Sequence, residues 1–206
     1  MKNDMNFHKN GKNEWDEIYK NHRLKDIPWH TEKPDRRLVK LVKERGIEPG
    51  DVLDMCCGAG TNSLYLSSKG FKVSGVDISP TAVNIVNQRC SKKGLKCNYI
   101  VGDVLKAKFK NKFDFILDRG CFHHIAEHNK LKYVIKLKNL LRSKGKVYLK
   151  CFSDKNLNFP FSKNSSKKDI YNYFSKYFNI VYIKDSVYTE PSGIKRYFYD
   201  VFMERK

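Results

Sequence analysis

Within Asp118-Arg119-Gly120-Cys121-Phe122-His123-His124 an acid, a guanidinium, a thiol and two imidazoles stand side by side. Histidine can take or give a proton near neutrality, so His123 or His124 could act as a general base. Arg119 could hold a carboxylate or orient an anionic substrate through its planar fork. A plainer role is open to each, since one of two adjacent histidines could simply cap or pack. Cys121, His123, His124 and His128 are also metal-ligating types, with His124 and His128 one helical turn apart. No second ligand cluster accompanies them, and structural zinc sites usually bring cysteine pairs, so no metal is expected.

A second chemistry-bearing stretch lies upstream. Asp51-Val52-Leu53-Asp54-Met55-Cys56-Cys57-Gly58-Ala59-Gly60 reads as a short buried strand that ends in an acid and runs into a small-residue turn. A helix should begin near Thr61 or Asn62, where a side chain can cap it. Gly58 and Gly60 leave the turn bare, so a ligand can lie against its backbone amides and the helix N-terminus. Asp54 is aimed at the crevice outside the strand ends, where open α/β sheets bind ligands. Seventeen residues after Gly60 the next strand also closes on an acid, Asp77, which suits the two hydroxyls of a ribose. Gly58-x-Gly60-x-x-Ser63 also approaches the dinucleotide fingerprint of an oxidoreductase. Against that alternative, Ser63 replaces the third glycine, and Asp54 is an acid where a pyrophosphate would prefer none.

Val52-Leu53-Asp54-Met55-Cys56-Cys57-Gly58-Ala59-Gly60 resembles the first motif of class I S-adenosylmethionine-dependent methyltransferases, and Val76-Asp77-Ile78-Ser79 resembles their second. The family usually carries a further glycine where Cys56 stands. Asp118-Arg119-Gly120 is similar to the end of the fourth strand in the thiopurine and tellurite-resistance group, which acts on small, soft nucleophiles. The resemblance implies S-adenosyl-L-methionine as cofactor and methyl transfer to a small molecule, with a thiol or other soft acceptor preferred. It implies a cofactor set of Trp29, Asp54, Cys56, Gly58, Gly60, Asp77, Ile78, Asp103, Val104, Asp118 and Arg119, with Asp103 toward the adenine amino group. His123, His124 and Arg119 are then the catalytic candidates. Asn-Pro-Pro-Tyr, Asp-Pro-Pro-Tyr and a Pro-Cys nucleophile are all absent, which counts against a nucleic-acid acceptor. An RNA methyltransferase, or an inactive cofactor-binding interaction module, is the alternative.

The elements that must position these residues follow along the chain. Residues 1 to 13 lack periodicity and are expected to be mobile. Trp15, Ile18 and Tyr19 fall at helical spacing, and Pro28 presents Trp29 and His30 from an extended turn. Both tryptophans could merely pack. The resemblance makes residues 1–33 a tail and lid, since related enzymes close paired N-terminal aromatics over the methyl donor. Helices are expected over 35–45, from near Thr61 to about 69, over 79–91, 127–141 and 169–177. Strands are expected over 52–55, 71–76, 97–101, 113–118, 146–152, 179–185 and 197–203, with a polar loop over 153–168. This pattern predicts an α/β fold: a Rossmann-like, seven-stranded, mostly parallel sheet with helices on both faces and a C-terminal antiparallel hairpin. Residues 1–206 are read as a single methyltransferase domain.

No apolar run approaches a membrane span, and no signal segment follows the first methionine. The six cysteines show no regular framework, which suits a reduced, cytoplasmic protein, and those without a role above read as small core residues. The net charge of +19 would attract nucleic acid or anionic surfaces. Only 9 of the 41 basic residues are arginine, however, and the lysines are scattered, so the charge reads as a compositional bias. A monomer or homodimer is expected.

Overall fold

A computed structural model describes residues 12–156, 164–190 and 192–206. Residues 1–11 of the expected mobile tail, and the centre of the expected 153–168 loop, lie outside the described residues, while Lys12 and Asn13 of that tail belong to a helix. The strands are β1 (Asp51–Met55), β2 (Lys72–Asp77), β3 (Cys97–Val101), β4 (Phe113–Arg119), β5 (Leu141–Phe152), β6 (Phe178–Thr189) and β7 (Lys195–Arg205). They form one sheet in the order β3-β2-β1-β4-β5-β7-β6. β1 to β5 run parallel, and β7 lies between β5 and β6, antiparallel to both. The helices are α1 (Lys12–Asn21), α2 (Arg36–Lys43), α3 (Thr61–Ser68), α4 (Pro80–Lys92), α5 (Glu127–Leu140) and α6 (Lys167–Phe174).

Alternation along the strands feeds two cores, as the two-residue period of a pleated sheet requires. Val52, Phe115, Leu117, Tyr148 and Phe202 pack with Leu38 and Leu41 of α2 and Leu66 of α3. Leu53, Met55, Ile116, Val147, Leu149 and Val201 pack on the other side with Tyr133, Val134 and Leu137 of α5 and Ile170 and Phe174 of α6. Helix starts follow the capping chemistry. Asp35 accepts from the N–H groups of Arg37 and Leu38 at the head of α2, Ser79 caps α4 with Pro80 at its first position, and Ser166 and Asp169 cap α6 reciprocally. α3 differs from expectation. Gly60, in the left-handed conformation, is its N-cap, and among the described residues no side chain caps it. Asn62 turns away to accept the Asp35 N–H at 2.8 Å.

Register places the chemistry at one end of the sheet. Met55 pairs with both Val76 and Asp118, and Asp77 pairs with Val101. The carboxyl ends of β1, β2 and β4 therefore open onto one crevice at the switch point between β1 and β4. The same register corrects the reading of the cysteines as unpaired. Cys56 and Cys121 form a disulfide, as do Cys90 and Cys97, while Cys57 and Cys151 are buried free thiols. Partners 65 residues apart give no spacing signal, because neighbouring parallel strands bring them together.

Candidate functional site

The floor of the crevice is the turn after β1. Cys56, Gly58 and Gly60 all adopt left-handed backbone, with φ of 53°, 52° and 76°. The turn is pinned by the Cys57 N–H on the Val76 carbonyl (3.0 Å) and the Gly60 N–H on the Cys57 carbonyl (3.0 Å). A Cβ on Gly60 would also stand 2.0 Å from Val86 of α4, so glycine is required there for both backbone and packing. From α4, Arg89 donates to the Ala59 carbonyl and the Thr61 hydroxyl, fastening the helix to the turn.

Two buried acids, Asp77 and Asp54, line this floor, and a third, Asp118, lies behind it. Asp77 accepts from the Gly58 N–H (2.8 Å) and the Ser79 N–H (3.0 Å), and burial pushes its pKa up. Asp54 is pushed up to about 7, first by burial and then by the charges of Asp77 and Asp118, with the Ser63 hydroxyl opposing. Asp118 is fully buried, and its oxygens are taken by the Cys121 N–H (2.7 Å), the Phe122 N–H and the Tyr133 hydroxyl (2.7 Å). Burial raises its pKa to about 6 against those bonds. Its place is under the loop after β4, which it shapes. Asp103 accepts the Leu105 N–H at 2.8 Å in a turn beside β3, with Val104 buried after it. Ile78 is half-buried after Asp77.

The roof is α1 and the chain that follows it. Asp16 accepts from the Ser79 hydroxyl (2.7 Å) and the Thr81 N–H (2.8 Å), docking α1 on the head of α4. Tyr19 sits over the glycine turn, and a Cβ on Gly58 would meet its hydroxyl at 2.6 Å. The same hydroxyl accepts from Trp29 Nε1 at 3.0 Å. Trp15 meets Trp29 edge-on at 5.2 Å and His124 edge-on at 4.8 Å. Arg119 donates from Nη1 to the Trp29 carbonyl at 3.2 Å, and its Nε lies 3.7 Å from Asp35. Asp35 belongs to a buried ionic network: Lys150 reaches Asp35 (2.9 Å) and Asp200 (3.1 Å), and the Tyr148 hydroxyl contacts both acids. Arg119 is thereby committed to the roof.

The two histidines separate. His123 is buried against Phe152, and its Nδ1 accepts the Phe152 N–H at 3.3 Å. Burial holds its pKa well below the ordinary value. His124 faces Trp15, and among the described residues its Nδ1 has no hydrogen-bond partner. Burial lowers its pKa to about 4. His128 is exposed on α5, and no group of three or more metal-ligating side chains occurs among the described residues.

The crevice therefore gathers Trp29, Asp54, Cys56, Gly58, Gly60, Asp77 and Arg119 with His124, while Asp118 and His123 stand behind it. Sequence reading missed Asp16, Tyr19, Asp35, Arg89 and Lys150. Asp16 and Tyr19 carried one signal, being three apart on the inward stripe of α1. The others carried none.

A methyltransferase domain model matches residues 52–145. An uncharacterised methyltransferase of Schizosaccharomyces pombe is 35% identical over 107 residues, 52% of this chain and 74% of the relative. TehB of Haemophilus influenzae, a probable S-adenosyl-L-methionine-dependent methyltransferase, is 34% identical over 76 residues, 37% of this chain and 27% of TehB. The TehB crystal structure superposes with a TM-score of 0.73 at 23% identity, covering 84% of this chain and 62% of TehB. A structure solved for the conversion of a disulfide bond into a thioacetal group during echinomycin biosynthesis superposes with a TM-score of 0.81 at 22% identity, covering 95% and 93%. At those identities the superpositions establish the fold, and the sequence relatives establish the family. This chain belongs to the class I S-adenosylmethionine-dependent methyltransferases and resembles TehB among them.

Proposed function

We propose that this enzyme methylates a small, soft acceptor, a thiol before an amine or phenol, in a pocket roofed by α1 and the Trp29 segment. The observation that carries the reading is His124, held neutral by burial at a pKa of about 4, with an unpartnered Nδ1 beside Trp15. An imidazole of that pKa is a weak base, so it suits an acceptor that is already partly ionised near neutrality and intrinsically strong as a nucleophile, as a thiol is. The roof of Trp15, Tyr19 and Trp29 also suits a small ligand, and the structure of the thioacetal-forming system shares this fold.

The residues present fit S-adenosylmethionine. The left-handed turn, with Tyr19 over Gly58, would border its body, Asp77 stands at the end of β2 for its ribose, and Asp54 can face its ammonium. Asp103 and Val104 would border the adenine, with Ile78 beside Asp77 and Cys56 at the edge of the turn. When bound, the cofactor supplies an electrophilic methyl carbon on a sulfonium. The chain's own work is alignment and exclusion of water. Trp15, Tyr19 and Trp29 close the crevice, and Arg119 holds the Trp29 segment. Asp118 and His123 set the loop that carries His124. His124 accepts at Nδ1 whatever proton the acceptor retains.

Turnover of His123→Ala, His124→Ala and Arg119→Ala across pH, on a panel of thiols, amines and phenols, tests the reading. Thiols should be preferred, with rates rising as the acceptor ionises and no inflection near pH 6.5. His124→Ala should slow thiol turnover modestly and recover as pH rises, and Arg119→Ala should be more damaging. Complete loss on thiols for His124→Ala, with the fold intact and no recovery, would overturn it. Salt-resistant, sequence-selective RNA binding would favour an RNA acceptor instead.

A further inference from the structure

We propose that Cys56 and Cys121 form a reversible thiol–disulfide site across the cofactor crevice, oxidised by small disulfides of the glutathione type, whose state sets affinity for the methyl donor. The two residues stand in the two loops that define the crevice, one after β1 and one after β4. Their Cα atoms are 5.5 Å apart, inside the roughly 4.4–6.8 Å range of disulfides. Neither loop holds them there by accident of packing. β1 and β4 are paired at Met55 and Asp118, and the Cys121 N–H is fixed on Asp118 at 2.7 Å.

Cys56 occupies a left-handed backbone (φ 53°), which costs a residue with a Cβ what glycine is spared. That strain is matched by what its side chain reaches, the sulfur of a loop 65 residues away. The pair also has an order of attack. Cys56 is partly exposed in the crevice, whereas Cys121 is 1% exposed. The neighbouring Cys57 is no competitor, since burial, and then Asp77 and Asp54, push its thiol well up.

The exchange balances with the disulfide oxidant RSSR. The Cys56 thiolate attacks one sulfur of RSSR, forming the mixed disulfide Cys56–S–S–R and releasing RS⁻, which takes up the Cys56 proton. Cys121 then loses its proton and attacks Cys56 Sγ, closing the internal disulfide and releasing the second thiol. Two electrons pass from the protein dithiol to RSSR, which leaves as two RSH. The closed bond holds the β1 turn in its left-handed form, ready for the donor. The open dithiol lets Cys56 relax. Linkage then requires that the donor favour the oxidised form by the same factor.

The test uses the whole chain equilibrated in glutathione buffers of graded potential, with and without S-adenosylhomocysteine. Alkylation and mass spectrometry read Cys56 and Cys121, and the titration is repeated in Cys90→Ser/Cys97→Ser to remove the other pair. The expected result is a two-electron titration inside the glutathione range, with the midpoint about 30 mV more reducing when S-adenosylhomocysteine is present, equivalent to roughly tenfold tighter binding to the oxidised form. Cys121→Ser should trap glutathione on Cys56. A pair that stays reduced throughout, a pair that resists reduction throughout, or a midpoint indifferent to S-adenosylhomocysteine would overturn the proposal. A Cys121→Ser chain without glutathione on Cys56 would overturn the order of attack.

Discussion

The floor and the roof of the crevice are built by different means. The floor is mostly backbone: a glycine turn, strand ends and N–H groups, tied to strand-end carboxylates over short reaches such as Gly58 to Asp77, 19 residues apart. The roof is side chains. Asp16 reaches Ser79 across 63 residues, Arg119 reaches the Trp29 carbonyl across 90, and Lys150 reaches Asp35 across 115. A backbone site can recognise one cofactor with little freedom to change. A site assembled from distant side chains can be retuned one residue at a time, which suits the part of an enzyme that selects its acceptor.

The largest effect should come from the seam between the two. Lys150→Met takes the nearest cation from the buried carboxylates of Asp35 and Asp200, leaving only the more distant Arg119 and Arg37, and removing one partner of a buried ion pair costs about 3–5 kcal/mol. Denaturant unfolding should show that loss. An unchanged midpoint would mean the roof is not anchored through this network. Next comes the floor itself. Asp77→Ala should weaken S-adenosylmethionine binding by about 2 kcal/mol or more by calorimetry, as charge-assisted bonds disappear. Unchanged affinity would remove Asp77 from the cofactor site.

Asp16→Ala separates roof from floor with a smaller effect. Losing the Ser79 and Thr81 bonds should cost about 1–2 kcal/mol, seen as roughly tenfold higher acceptor KM. Cofactor affinity should stay within about twofold, and an equal loss on both sides would mean that roof and floor are not energetically separate. The smallest effect is a pH dependence. Asp54 has its folded-state pKa raised to about 7, so the folded protein holds a proton there that the unfolded chain releases near pH 4, and stability falls as pH rises between them. A cationic ligand favours the ionised carboxylate. Cofactor affinity should therefore rise by less than about tenfold from pH 6 to 8, and Asp54→Asn should flatten the curve.

The floor was legible because its information is local. Strand, acid, small-residue turn and helix fall within about thirty residues, and the positions of Asp54, Gly58, Gly60 and Asp77 follow from strand ends alone. The seven-stranded sheet and its antiparallel C-terminal pair were legible for the same reason, from alternation and turn chemistry. The aromatic segment was legible as a stripe on α1, but not that Tyr19 would rest on the bare face of Gly58. Nothing local says that Asp16 docks on the head of a helix begun at Pro80. Asp118 looked like a ligand-facing acid, because strand position does not reveal that Tyr133 and two N–H groups occupy its oxygens. Cys56 and Cys121 were unreadable as partners until the β1–β4 register was known.

β7 lies between β5 and β6, although β6 precedes it in the chain. During synthesis β6 therefore emerges before the strand that joins it to the sheet. At about 5–20 residues per second, the stretch from Thr189 to Arg205 takes on the order of a second to appear. Throughout that interval β6 shows unpaired backbone on both edges, together with Val181 and Val187, which stay more than half exposed even in the finished fold. Lys184 and Asp185, between those valines, put charge on the waiting strand and discourage its pairing with a strand from another nascent chain.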